Sequence, residues 1–65
     1  MSQIAEKNAR NLVVMLTAGA NISDLVEMAK SLSIRATHIQ QLAVPKEEES
    51  ARLNLITALK FNGHN

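Results

Sequence analysis

The chain contains no cysteine, no tryptophan and no tyrosine, and it has only one phenylalanine and one proline. The absence of cysteine excludes both a disulfide framework and a zinc site built on thiolates. Two histidines, His38 and His64, are too few to close a metal site by themselves. We therefore expect a protein without a metal and without a cofactor.

Long apolar runs are also missing, which bears on targeting. The longest one, Leu12–Leu16, has five residues. The apolar core of a secretion signal needs about 7–15 residues, and a membrane span needs about 20. We therefore expect a cytoplasmic protein that has no membrane partner.

The net charge is also small, because 7 Lys and Arg are balanced by 6 Asp and Glu. The chain has 65 residues, and 46% of them are hydrophobic. This composition is too apolar for a disordered chain. A chain of this length buries only about 60% of its unfolded surface, and its core rarely supplies more than about 3–5 kcal/mol. We expect a single helical domain over residues 1–65 that gains stability from an oligomer contact.

Catalysis is not expected from this chain. A catalytic cleft of about 300 Å³ or more needs walls that so short a chain can hardly supply. The sequence also lacks a phosphate-binding loop and a dinucleotide fingerprint. We therefore predict that the protein is not an enzyme.

The spacing of apolar residues predicts four short helices and no strand. The first helix is expected at about residues 3–18, where apolar positions recur at helical spacing, and Gly19 is expected to end it. Asn21 or Ser23 can cap the second, and the third is expected at about residues 35–44, before Pro45. The acidic run Glu47–Glu49 suits the start of the fourth. We predict an all-α bundle of four short helices with a frayed C-terminal end.

Residues 25–44 carry the most informative spacing. Leu32, Ser33, Ile34, Ile39 and Leu42 lie 3, 4, 5, 10 and 13 residues after Ala29. This pattern resembles the helix-turn-helix unit of the phage Cro and repressor-type regulators. The resemblance implies two helices that cross closely at the small residue Ala29. It also implies a left-handed turn at Ser33, where glycine is usual.

The resemblance further implies that the second helix of the unit enters the major groove of duplex DNA. Arginine and glutamine suit base edges, and the methyl groups of threonine and alanine suit the thymine methyl group. Lysines nearby could contact phosphates. The predicted DNA-binding residues are Arg35, Thr37, His38, Gln40, Gln41, Lys30 and Lys46, and Ala36 is expected to face outward with them.

Two functions from different classes follow. The first is a small sequence-specific DNA-binding transcriptional regulator that acts as a homodimer. The alternative is a helical protein–protein interaction module, an adaptor or an inhibitor of a larger regulator, that does not bind DNA. The net charge of +1 weighs against DNA, because DNA-binding domains usually carry a clear basic excess.

The homodimer prediction rests on the apolar run Leu12–Leu16. Five consecutive apolar residues cover more than one face of a helix, and so short a chain is expected to leave some of them unburied. We therefore predict a dimer interface that includes Leu12, Val14 and Met15.

Overall fold

A computed structural model describes residues 2–65 and contains four α-helices and no strand within that range. The helices are α1 (Gln3–Thr17), α2 (Ile22–Ser31), α3 (Ala36–Gln40) and α4 (Glu49–Phe61), and a single 3₁₀ turn at Lys46–Glu48 precedes α4. The prediction of an all-α bundle of four short helices is confirmed. None of these helices has the length and the apolar composition that a membrane crossing requires.

Polar side chains begin the first two helices. The Ser2 hydroxyl accepts a hydrogen bond from the Ala5 amide at 3.0 Å, and the Asn21 side chain accepts one from the Ser23 amide at 2.9 Å. These contacts satisfy backbone donors that have no partner inside the helix. Of the two caps that the sequence allows for α2, Asn21 is therefore the one in use.

The same backbone motif ends α1, α2 and α4. In each case a residue with positive φ follows the helix: Gly19 at 104°, Ser33 at 58° and Gly63 at 72°. The next amide then bonds back to a carbonyl five residues earlier, at 3.0 Å from Ala20 to Met15, 2.8 Å from Ile34 to Ala29 and 2.8 Å from His64 to Leu59. This is the Schellman arrangement, which satisfies the last helical carbonyls. The predicted left-handed turn at Ser33 is confirmed.

The hydrophobic core lies between α4 and the other three helices. Its side chains come from every α-helix and from the segments that flank α3. The largest of them are completely or almost completely buried: Leu12, Val13, Leu25, Ile34, Ile39, Leu55 and Leu59. The periodic apolar positions of the sequence therefore form one continuous core.

The third helix is shorter than the sequence predicts, because it ends at Gln40 rather than near Val44. Arg52 of α4 donates to the carbonyl oxygens of Ile39 at 3.4 Å and Gln40 at 3.3 Å. Arg10 of α1 donates to the Ala43 carbonyl at 2.9 Å. Carbonyl groups at the end of a helix have no partner inside it. The two arginines supply hydrogen bonds to such carbonyl groups at the end of α3 and just beyond it, so the helix can end before Pro45.

The corner between α2 and α3 differs from the one that the resemblance implies. Ala29 is completely buried, but no Cα atom of α2 lies within 8 Å of a Cα atom of α3. Instead α2 packs on α1 and α4, and α3 packs on α1 and α4 as well. The expectation of a close crossing of these two helices at Ala29 is therefore wrong. Met28 and Leu32, near the end of α2, remain 40% and 45% exposed.

Ser33→Gly tests the turn after α2. Glycine adopts positive φ without the steric cost that serine pays, so we expect the free energy of unfolding to rise by about 0.5–1 kcal/mol. Ser31→Gly is the matched control, since Ser31 is helical and its replacement should lower stability by about 0.5 kcal/mol. Urea unfolding of both variants measures the difference. A destabilising Ser33→Gly would contradict the assigned turn.

The ion pair between Glu49 and Arg52 generates a second prediction. Two short hydrogen bonds of 2.7 Å join the carboxylate to the guanidinium group. The hydrogen bond from Arg52 holds the pKa of Glu49 below its ordinary value, although partial desolvation opposes this. A lowered pKa in the folded state means that the pair stabilises the protein above the unfolded-state value of about 4.3. That contribution is lost as the pH falls through the folded pKa.

We therefore expect wild type to be more stable than Glu49→Gln at pH 7, and the difference to shrink at about pH 3. Urea unfolding at the two pH values measures it. Glu47→Gln is the matched control, because Glu47 lies in the preceding 3₁₀ turn and forms no ion pair within residues 2–65. A gap between wild type and Glu49→Gln that does not change with pH would show that the ion pair contributes nothing.

Candidate functional site

The residues predicted to bind DNA lie around α3, and most of them are exposed. Arg35, Thr37, Gln40 and Gln41 face solvent, whereas Ala36, which was expected beside them, is completely buried. The correction for Ala36 follows from helix geometry, because Ala36 and Ile39 are three residues apart and pack inward together. Four of the predicted side chains thus share a short, polar, exposed segment.

The other three predicted DNA-binding residues have other contacts or lie outside α3. His38 is half-buried, and its Nδ1 accepts a hydrogen bond from the Arg35 amide at 2.9 Å, so the imidazole caps α3. Lys30 lies 3.7 Å from the Glu27 carboxylate, and Lys46 begins the 3₁₀ turn that precedes α4. The structure therefore does not give these residues one common role.

The C-terminal residues cover the N-terminal end of α3. The amides of Ala36 and Thr37 donate to the backbone oxygens of His64 at 3.0 Å and Asn65 at 3.1 Å. The expectation of a frayed end is wrong, because these bonds satisfy helix amides that would otherwise lack a partner. In helix-turn-helix proteins this end of the second helix contacts base edges. Here backbone oxygens already occupy it.

A different surface carries an apolar concavity. A groove of about 590 Å³ lies between the end of α1, the start of α2 and the C-terminal half of α4. Its lining is uncharged and consists of Leu16, Ala20, Ile22, Asn54, Thr57, Ala58, Phe61 and Asn62. A second depression of about 290 Å³ continues from it along α4 and shares Leu16 and Asn54 with it. The two together follow the side of α4 that lies next to the end of α1.

The outer face of α4 consists of the six exposed residues of this helix: Ser50, Leu53, Asn54, Thr57, Lys60 and Phe61. Lys60 is the one charged residue among them. Phe61 is the only aromatic residue of the chain, and 89% of it is exposed, while Leu53 is 51% exposed. Exposed apolar side chains that adjoin a groove are typical of interaction surfaces.

Sequence reasoning missed this surface. The lining comes from residues 16–22 and 54–62, and only the packing of α1 and α2 on α4 brings them together. The sequence did contain one indication of this surface. Phe61, the only aromatic residue, does not lie on the helix face that Leu55, Ile56 and Leu59 form.

The three residues predicted to form a dimer interface differ in how far they are buried in the single chain. Leu12 is completely buried in the core of the single chain, so it is not available to a second copy. Val13 is also buried, and Met15 and Leu16 pack partly against the core. The expectation that so short a chain leaves some of this run unburied is confirmed at Val14, which is 46% exposed.

Metal-ligating side chains do not converge in the part of the chain that the structure describes. Residues 2–65 contain no group of three His, Asp or Glu side chains that could hold a metal ion. The Nε2 atom of His64 is buried and has no hydrogen-bond partner among these residues. The groove beside α4 is thus the principal candidate site, and its chemistry is apolar binding.

Comparison of the chain with known protein families, with curated proteins and with solved structures found no match.

Phe61→Ala tests whether the Phe61 ring contributes to the hydrophobic core. Because Phe61 is 89% exposed, we expect its removal to change the free energy of unfolding by less than about 0.5 kcal/mol. Leu59→Ala, two residues earlier and completely buried, should cost about 2–5 kcal/mol. Chemical unfolding at low micromolar protein measures both. A loss above about 2 kcal/mol in Phe61→Ala would place this ring in the core.

Proposed function

We propose that the chain is a helical protein–protein interaction module, and that the groove along the outer face of α4 is its binding surface. The single observation that carries the proposal is the position of Phe61, 89% exposed at the edge of an uncharged groove of about 590 Å³. Burial of apolar surface is the main driving force of protein association. Phenylalanine is one of the aromatic residues that are enriched at protein interfaces relative to the rest of the surface.

Charge supports the same proposal. Three of the seven basic residues form ion pairs with neighbouring glutamates on their own helices: Arg10, Lys30 and Arg52. Two of these also bind backbone carbonyls, so they maintain the fold. A surface that binds DNA phosphates needs basic side chains that are free to contact them.

Duplex DNA binding is the second candidate function. It is favoured by the exposed segment that contains Arg35, Thr37, Gln40 and Gln41, whose side chains suit base edges. The cover on the N-terminal end of α3 and the separation of α2 from α3 weigh against it. It therefore ranks below the interaction module.

A pair of titrations tests the proposal. The fluorescent probe anilinonaphthalene sulfonate, an anion with an apolar ring system, should bind the folded chain at about 1 µM protein, since the groove exceeds the about 300 Å³ of small ligand sites. Thr57→Glu puts a charge beside the groove and should remove most of the fluorescence gain. Val14→Glu is the matched control, because Val14 lies on the opposite side of α1 from Leu16, and it should leave the gain intact.

The second titration uses mixed-sequence duplex DNA at about 50 mM salt, followed by anisotropy. DNA-binding proteins bind duplex non-specifically at about 10⁻⁴–10⁻⁶ M even at physiological salt. We expect no binding by the folded chain at tens of micromolar. Binding of duplex that is lost in Arg35→Ala, together with no binding of the probe, would replace the proposal with the DNA function.

A further inference from the structure

We propose that Asn62 is a site of covalent modification: deamidation converts its side-chain amide to a carboxylate, and this conversion releases the C-terminal residues from α3. The inference goes beyond the proposed function, because it does not depend on what binds in the groove. It rests on the sequence Asn62-Gly63, on the hydrogen bonds of these two residues and on the contacts that the following residues make with α3.

The reaction requires only this chain and water, and asparagine is among the thermally labile residues of proteins. The backbone nitrogen of the next residue attacks the side-chain Cγ atom of the asparagine. A nitrogen–carbon bond forms, and ammonia leaves. Water then opens the resulting imide ring and gives aspartate, or isoaspartate in which the backbone runs through the side chain and is one atom longer. In total one water is consumed and one ammonia is released, with no oxidation or reduction.

Asn62 is the asparagine at which this attack is least obstructed. A side chain on the next residue crowds the attacking nitrogen, and Gly63 has no side chain. The other asparagines that a residue follows precede alanine, leucine or isoleucine: Asn8, Asn11, Asn21 and Asn54. Asn62 and Gly63 are both exposed, and apart from the chain neighbours of Gly63 no atom lies within 4 Å of where its Cβ atom would stand. Water therefore reaches this site.

The folded backbone holds both nitrogen atoms that take part in the reaction. The Gly63 amide donates to the Lys60 carbonyl at 3.0 Å, and the Asn62 Nδ2 atom donates to the Ala58 carbonyl at 2.8 Å. The first bond keeps the attacking nitrogen protonated, and the second holds the leaving amide against α4. The reaction therefore requires this turn to open, and exposed turns open locally more often than the whole domain unfolds. We expect the folded chain to react more slowly than the unfolded chain.

The product cannot restore the turn. A carboxylate has no N–H to donate, so the bond to the Ala58 carbonyl is lost. Its negative charge also lies at the C-terminal end of α4, where the helix dipole disfavours it. The residues that follow depend on this turn, because the His64 amide donates to the Leu59 carbonyl at 2.8 Å. Their release removes the backbone oxygens that accept hydrogen bonds from the Ala36 and Thr37 amides.

Mass spectrometry of the incubated full chain tests where the reaction occurs. At mildly alkaline pH, the gain of about 1 Da that an amide-to-acid change produces should map to Asn62. Asn54 is the internal control, because it is also exposed on α4 but precedes leucine, and it should not change. In guanidinium chloride the reaction at Asn62 should be about tenfold faster, since the turn no longer holds the two nitrogen atoms. Asn62→Gln should remove the gain at this position, because its longer side chain closes a larger ring far more slowly.

Amide hydrogen exchange tests the effect on α3. Asn62→Asp carries the charge of the product, and because position 62 is exposed the variant should fold, which far-ultraviolet circular dichroism checks. At neutral pH we expect the Ala36 and Thr37 amides of this variant to exchange about fivefold faster than in wild type. The Ala20 amide is the matched control, because it closes the corresponding turn after α1, and its exchange should not change. Purified deamidated wild type should behave as the variant does.

Three results would overturn the inference. No mass gain at Asn62 in the folded chain, over about a hundred half-times of the reaction in the unfolded chain, would exclude the site. A folded chain that reacts as fast as the unfolded one would show that the two hydrogen bonds do not hold the turn. Unchanged exchange of Ala36 and Thr37, both in Asn62→Asp and in the deamidated chain, would show that the cover on α3 does not depend on Asn62.

Discussion

The burial of the inner face of α4 is the interaction on which the rest of this structure depends. Leu55, Ile56 and Leu59 are at most 8% exposed, and α1, α2 and α3 all pack on this helix. Each large apolar side chain that is removed from water contributes about 1.5–3 kcal/mol, which is a large share of the stability of so small a domain. Helix α3 packs mainly on α4, whereas α2 packs equally on α1 and on α4 and makes no contact with α3. That arrangement separates α2 from α3 and exposes the opposite face of α4.

Much of the fold could be predicted because local signals agreed with the packing. The helical spacing of apolar residues predicted α1 with ends close to those observed, and polar and acidic residues marked the starts of α2 and α4. Gly19 and Gly63 stand at two of the three left-handed turns. Ser33 is the third such position and is not glycine, so its conformation could be inferred only from the pattern around it. At these places the backbone conformation is determined by residues within one or two helical turns.

The predictions that were wrong depended on distant residues. The end of α3 is set by Arg52 and Arg10, which lie about 12 and 33 residues away in sequence from the carbonyls that they bind. Its start is set by the backbone of His64 and Asn65, so a tail that looked frayed is part of the fold. Leu12 was assigned to an interface because its burial by three other helices is not visible in a local pattern. The groove beside α4 likewise requires the tertiary structure.

The central claim is that this chain acts through the groove beside α4 and not through α3. Amide chemical shifts of the ¹⁵N-labelled chain test it most directly, recorded once with anilinonaphthalene sulfonate and once with mixed-sequence duplex DNA. We expect the probe to move the amides of residues 16–22 and 54–62, which line the groove, and duplex to leave residues 35–41 unchanged. Shifts confined to residues 35–41 on addition of duplex, with no change on addition of the probe, would contradict the claim.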